Sequence, residues 1–333
     1  MNTAVVILNF NGRKWLEKFL PSVFANSDEA DIYVIDNAST DDSVLFLKEK
    51  FPQLKVVVNE SNYWFAEGYN EGLKHISADY YILLNSDVEV TKNWITPVIQ
   101  LLESDENIVA AQPKILAYHN KQYFEHAGGG GGMIDKNGYP FCRGRIFEHV
   151  EKDAGQYDDT AEIFWATGAC LFIKAKSFHE FGGFDASYLA HMEEIDLCWR
   201  MKNSGKKIMY CGSSSVYHVG GGTLNYVNPQ KTYLNFRNSL FTLYKNLDKG
   251  LFIKIITRLC LDSLAAAKFL FSGKIRHIGS IFKAHFHFYK NISQLKKKRK
   301  QMKYKSFAGM KGMYSRNIVW QHYGRKKKTF KDL

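Results

Sequence analysis

The sequence predicts an α/β fold built on a mostly parallel, Rossmann-like sheet, with a helical extension and a basic tail behind it. Three observations carry that prediction. Short apolar runs alternate with helical segments over the first hundred residues. Several of those runs end in small polar residues. From about residue 231 the pattern turns to long helical periodicity, and basic residues then crowd the C-terminal end.

The run TAVVILNF (3–10) reads as the first strand, and RKWLEKFLPSVF (13–24) as a helix with Trp15, Leu16, Phe19, Leu20 and Val23 on one face. DIYVIDN (31–37) is the next strand. The helix in STDDSVLFLKEKF (39–51) can be capped by Ser39 or Thr40, with acids in its first turn. LKVVVN (54–59) and YYILLNSD (80–87) are strands, and FAEGYNEGLKHI (65–76) and NWITPVIQLLES (93–104) helices. Strands this apolar, separated by helices, belong in a parallel sheet covered on both faces. ENIVAAQPKIL (106–116) and EIFWATGACLFIKA (162–175) add further strands. The five consecutive glycines Gly128 to Gly132 lie between them, and the entropy of ordering such a run predicts a mobile loop.

After residue 231 come three helical segments, 231–247, 251–271 and 274–292. In the second, Lys254, Arg258 and Asp262 recur every four residues and mark one polar stripe. A membrane-spanning helix needs about 20 residues with few or no charges. The segment therefore reads as an amphipathic helix that packs on the domain or lies on a membrane surface. The resulting division is 1–245 for the α/β domain, 246–295 for the helical extension and 296–333 for the basic tail.

Charge is distributed unevenly. Of 45 Lys and Arg and 33 Asp and Glu, residues 290–333 hold 15 and one, which leaves 1–289 at a net −2. A nearly neutral globular part argues against a nucleic-acid surface. The tail reads either as a segment that docks on an anionic membrane or as a solvated, partly disordered end. Five scattered cysteines with no C-x-x-C pair fit a reducing compartment. The first apolar run lacks a signal peptide's charged lead and cleavage site, so the expected location is cytoplasmic, peripheral on the inner face of the membrane where the tail docks.

In parallel α/β sheets, ligands bind at the carboxyl ends of strands. Those ends here carry Asn9 and Asn11, Asp36 with Asn37, and Asn85, Ser86 and Asp87. Asp36 is placed to accept from a base or ribose. Asp87 is placed to hold a hard cation against a diphosphate, because Mg²⁺ and Mn²⁺ take oxygen ligands and share them with phosphate.

Seven stretches, in order, resemble one family: VVILNFNG, VIDNASTDDS, NYWFAEGYNEGL, LLNSDVEV, TGACLFIKA, GGFDASYLAHMEEIDLCWRMKNSG and VYHVGGGT. Over roughly residues 3 to 245 the chain is similar to family 2 glycosyltransferases of the GT-A fold, in particular the rhamnosyltransferase-like members that extend bacterial polysaccharides. The resemblance implies inverting transfer of a sugar from a UDP- or dTDP-sugar to a hydroxyl of a glycan or lipid-linked acceptor, assisted by Mg²⁺ or Mn²⁺. The donor is expected at Asn9, Asn11, Asp36, Asn62, Asn70, Asn85, Ser86 and Asp87, of which the resemblance itself carries Asp36, Asn70 and Asp87. The resemblance assigns Asp87, Glu89 in the second acidic place, and His218 to the metal.

The catalytic base falls on Glu194, where the family has Asp, with Glu193 orienting it or the acceptor. Asp196 stands four before Arg200, the spacing of a helical ion pair, and is read as structural. A second departure is Trp64, where the family commonly has glycine. Two other readings stay open: a sugar-phosphate nucleotidyltransferase, and a degenerate transferase that only binds a glycan or lipid.

Overall fold

The computed structural model describes residues 2–220 and 228–333. The chain opens with β1 (Thr3–Asn9), α1 (Arg13–Ala25), β2 (Asp31–Asp36), α2 (Ser43–Lys50), β3 (Lys55–Val58), α3 (Trp64–Leu73) and β4 (Tyr80–Asn85). β5 (Val88–Val90), α4 (Thr96–Glu103) and β6 (Ile108–Ala117) follow. Four short strands come next: β7 (Gly132–Asp135), β8 (Pro140–Cys142), β9 (Arg145–Ile146) and β10 (His149–Val150). β11 (Thr160–Ile163), β12 (Cys170–Lys174), α5 (Ala175–Glu180), α6 (Glu193–Asn203) and β13 (Lys207–His218) complete the α/β part. α7 (Pro229–Asn246), α8 (Leu251–Phe271), α9 (Ile275–Lys290), α10 (Ile292–Lys300) and β14 (Met313–Tyr314) close the chain.

The main sheet runs β11-β13-β6-β12-β4-β1-β2-β3, with β5 on β13. Its N-terminal half, β3-β2-β1-β4, is parallel as the alternating pattern requires. β12 then pairs antiparallel with both β4 and β6, while β6 and β13 run parallel, so the whole sheet is mixed. One face packs on α1, α2 and α4 through Leu16, Leu20, Leu47, Trp94 and Leu102. The other packs on α3, α6 and α7 through Tyr69, Leu73, Trp199, Leu240 and Leu243. Strands covered on both faces explain why β1 and β4 are apolar almost throughout.

The glycine run is not a mobile loop. All five glycines are buried, and the last opens β7 in a second sheet, β10-β9-β8-β7-β14. A Cβ on Gly132 would lie 2.3 Å from the Trp165 ring, and one on Gly131 2.7 Å from Ile163. Glycine is there because neighbouring chain and rings occupy the side-chain space, and Gly128, Gly129 and Gly131 also take positive φ.

Residues 296–333, expected as a basic tail, fold back onto the domain. β14 pairs parallel with β7. Phe307 stacks on Trp199 with ring centroids 4.7 Å apart, and Ile318 is buried beside Phe141 and Ile146. The Ile318 amide donates to Asp135 Oδ2 at 2.9 Å. Lys298 pairs with Asp185 at 2.5 Å, and Arg299 donates to the Tyr244 carbonyl at 2.8 Å.

Candidate active site

β1 lies between β2 and β4, so their polar ends meet: Asn9 stands opposite Asp36, and Leu8 opposite Asn85. Asn9 donates through Nδ2 to Asp36 Oδ1 at 3.0 Å, and the Ser39 amide donates to Asp36 Oδ2 at 2.9 Å. Asn9 Oδ1 is buried without a hydrogen-bond partner, and a Cβ on Gly12 would sit 2.4 Å from it. Asn11 is used in building the loop. Its Oδ1 accepts from the Thr40 and Asp41 amides at 2.7 and 3.2 Å.

Asn37 holds the next segment. Its Nδ2 donates to Asn62 Oδ1 at 3.0 Å and to the Trp64 carbonyl at 2.9 Å, while its Oδ1 accepts from Asn59 and from the Tyr63 amide. Trp64 has φ +62, the left-handed region that glycine enters without a Cβ penalty, so a family glycine suits this turn. Trp64 keeps the turn at a cost in strain, with its side chain 44% exposed.

The polar end of β4 delivers Asp87, and the end of β13 delivers His218. His218 Nε2 lies 3.2 Å from Asp87 Oδ1, and the Val219 amide donates to the Asp87 carbonyl at 3.1 Å. Asn85 Nδ2 is 3.5 Å from the same imidazole nitrogen, and Ser86 is half-buried beside Asp87. Of the motif VYHVGGGT, Gly221, Gly222 and Thr223 lie outside the described residues.

Sequence reasoning missed Glu125. Its Oε2 lies 3.3 Å from His218 Nδ1, giving a buried row Asp87–His218–Glu125. Glu125 sits beside the glycine run and ends no recognisable strand; only the fold of that run brings it in, through its amide's bond to the Ile115 carbonyl at 2.9 Å. Burial pushes the His218 pKa down, but the Glu125 charge and the bonds to both carboxylates outweigh it and raise the value to about 10. Two carboxylates around one ring favour positive charge there, and a cation bound at Nε2 would have to replace this proton.

Glu89 does not join this group. It pairs across the strands with Tyr217 while His218 pairs with Val88, so Glu89 projects from the opposite face, where it binds Lys121. The expectation of Glu89 as a metal ligand is corrected accordingly. Among the described residues no three His, Cys, Asp or Glu form a ready metal cage. Asp87 and His218 together fit a cation that takes its remaining oxygens from a diphosphate.

Glu193 and Glu194 open α6 behind a turn in which Leu189, His191 and Met192 all have positive φ. Both carboxyls have one buried oxygen with no hydrogen-bond partner. Burial raises both pKa values. Glu193, 4% exposed, is raised further, well above the usual carboxylate value, by the charge of Glu194. Burial pushes Glu194 up to about 7, against backbone amides, that of Gly168 among them, which pull it down. The next residue, Ala169, accepts from the Asn85 amide at 3.0 Å. The short turn 168–169 therefore ties Glu194 to the polar end of β4.

Asp196 is structural. It is fully buried and receives Arg200 at 2.9 Å, Lys245 at 2.9 Å, Asn246 at 2.7 Å and Tyr188 at 3.2 Å. Asn70 is structural too, contrary to its expected place on the donor. Both ends of its amide bind the Phe184 backbone, at 2.8 and 3.0 Å. It thereby fixes the Gly182–Gly183 turn, whose Gly183 carbonyl accepts from Arg200 Nη2 at 2.7 Å. In this way α6 is held from two sides.

A family model described as Glycosyl transferase family 2 matches residues 4–181, slightly more than half of the chain. The N-acetylglucosaminyl-diphospho-decaprenol L-rhamnosyltransferase of Mycobacterium tuberculosis is 23% identical over 64% of this chain and 75% of its own length. The rhamnosyltransferase WbbL of Escherichia coli is 21% identical over 64% of this chain and 82% of its own.

Among solved structures, the mannosyltransferase PcManGT of Pyrobaculum calidifontis, in complex with GDP-Man and Mn²⁺, superimposes with a TM-score of 0.55. It is 11% identical, over 87% of this chain and 88% of that one. GalNAc-T7 with UDP, GalNAc and Mn²⁺ gives 0.53 at 20% identity, over 65% of this chain; the match spans only 43% of that protein. At these identities the structures establish the fold, which is the expected GT-A type.

Proposed function

The chain belongs to glycosyl transferase family 2 and is a glycosyltransferase, and on that premise we propose that it moves a sugar from a nucleoside diphosphate sugar, UDP- or dTDP-linked, to a hydroxyl of a glycan or lipid-linked acceptor with inversion at the anomeric carbon. The nucleotidyltransferase alternative falls with the family assignment. The observation that carries the reading is the Asp87–His218 pair at the polar ends of β4 and β13, with Asp36 closing β2 on the far side of β1 and Glu194 tied to the end of β4 through Gly168 and Ala169.

The roles follow from chemistry. Asp36 is held by Asn9 and Ser39 at the end of β2, in reach of the base and ribose side of the crevice. Asp87 and His218 would hold a divalent cation, which when bound neutralises the diphosphate and makes it a better leaving group. Glu125 keeps the His218 ring in place. An inverting displacement needs one carboxylate to take the acceptor proton as its oxygen attacks. A carboxyl near pKa 7 is ionised often enough, and basic enough, to do this, and burial pushes Glu194 up to about 7. Burial and the Glu194 charge raise the Glu193 pKa well above the usual carboxylate range, which favours an ionised Glu194 beside a protonated Glu193. The same tuning argues against a degenerate site.

Relatives named rhamnosyltransferases, one of them for a diphospho-decaprenol acceptor, make a rhamnosyl donor and a lipid-linked acceptor of polysaccharide synthesis the first pair to assay. The test is the anomeric configuration of the product, read by NMR from a donor of known configuration. Inversion is expected; retention would require a second, nucleophilic carboxylate and would overturn the role of Glu194.

A further inference from the structure

The helical hairpin α8–α9 is built inside out. On α8 the polar stripe faces the protein: Lys254 donates to Asn137 Oδ1 at 3.1 Å, and Arg258 lies 3.7 Å from the Tyr139 ring centre and donates to Ser239 Oγ at 2.7 Å. Asp262 accepts from Tyr139 at 3.0 Å and lies 3.1 Å from His285 of α9. Arg258 and Asp262 are the two fully sequestered residues of α8. What the helix shows to solvent is its apolar stripe.

Of the seventeen large hydrophobic side chains exposed among the described residues, ten lie on α8, α9 and their connection. Phe252, Ile256 and Leu264 follow one another at helical spacing on α8, as Phe282 and Phe286 do on α9, and Phe271 at the tip is 90% exposed. A contiguous exposed apolar surface of this kind marks an interaction site.

Charge identifies the occupant. Between residues 251 and 290 the sole acid is Asp262, which is buried, so every exposed charge there is positive, Lys274, Arg276, Lys283 and Lys290 included. A second copy packed face to face would set these cations against each other. An anionic bilayer would take the aromatic side chains into its interface and meet the cations with phosphate. Among the described residues no helix is long and apolar enough to cross a membrane.

We infer that the α8–α9 hairpin, and not the basic tail, is the surface by which this protein docks on an anionic lipid bilayer. Phe307, Met310 and Ile318 of the tail are spent on packing, whereas Phe252, Phe271, Phe282, Phe286 and Tyr289 of the hairpin are exposed. This goes beyond the transfer reaction and is tested without it.

Full-length protein is floated with vesicles of phosphatidylglycerol and phosphatidylcholine, and with phosphatidylcholine alone. Binding to the anionic vesicles is expected, weakening with salt. At about fivefold per cation near the surface, Lys274→Gln with Arg276→Gln should weaken it by about 25-fold. Phe271→Ser with Phe282→Ser should abolish flotation, and both variants should retain wild-type donor turnover and circular dichroism. Failure of the wild type to float, or variants that float like it, overturns the inference. So does light scattering that shows a dimer lost in the Phe variant while flotation persists, for then the face belongs to a second copy.

Discussion

Replacing Glu194 with Gln removes the proposed base while keeping its size and its bonds to backbone amides. A general base contributes a factor of about 10²–10⁴, so transfer should fall by at least about a hundredfold while donor binding is kept. The wild type should show an acid limb. With a pKa of about 7, Glu194 is about one-tenth ionised at pH 6 and one-hundredth at pH 5, and kcat/KM should fall in the same proportion. Glu193→Gln serves as control. Burial and the Glu194 charge favour the protonated form of that carboxyl, so its loss should cost less than about tenfold and leave the limb in place.

Stability should respond in the opposite sense. Folding raises this pKa from 4.5 to about 7. Its contribution is therefore fully present below pH 4.5 and lost as pH rises through about 7. At about 1.36 kcal/mol per unit, the ionised group opposes folding by at most about 3 kcal/mol at pH 8. Glu194→Gln, neutral throughout, should melt at a higher temperature than the wild type at pH 8 and at the same temperature at pH 4. The assay is nucleoside diphosphate release in the presence of acceptor, beside thermal melts at both pH values. Transfer above one-tenth of wild type in the Gln variant, or a flat profile between pH 5 and 8, refutes the assignment.

Three further predictions concern the parts that hold the site. Glu125→Gln should weaken Mn²⁺ activation by about 10–100-fold, because partners behind a ligating histidine carry that much affinity; a titration of activity against Mn²⁺ reads it. Lys245→Met removes one of two cations from each of the buried Asp196 and Asp185, leaving Arg200 and Lys298 in place, and should cost about 1–3 kcal/mol, measured by urea unfolding. Gly132→Ala forces a methyl group into the Trp165 ring and should cost about 3 kcal/mol in the same experiment, an effect that a mobile glycine loop would not show.

The parallel half of the sheet and the donor-side strand ends were legible because both rest on local pattern: apolar runs four to eight residues long, each closed by Asn or Asp. Asp36 closes β2 and Asn85 closes β4, as that pattern expects. What local pattern does not carry is long-range pairing. The antiparallel insertion of β12 between β4 and β6 leaves no trace in periodicity. The glycine run looked mobile because its packing partners, Trp165, Ile163 and Tyr157, lie 25 or more residues away.

Glu125 was invisible for the same reason. The carbonyl and imidazole that define its place come from β6 and β13. Glu89 misled because spacing alone does not say which face of β5 a side chain leaves from; the register with Tyr217 does. The polar stripe of α8 was visible in the sequence, but its direction, inward, required the partners Tyr139, Asn137 and Ser239.

The central claim is that a nucleotide sugar and a cation meet at Asp87. The most direct measurement is nucleoside diphosphate release from a panel of UDP- and dTDP-sugars, with and without Mn²⁺, by the wild type and Asp87→Ala. One donor should be turned over in a cation-dependent way by the wild type and left intact by the variant, with unchanged circular dichroism. Turnover by Asp87→Ala at near wild-type rate, or cation-independent turnover by both, would contradict it.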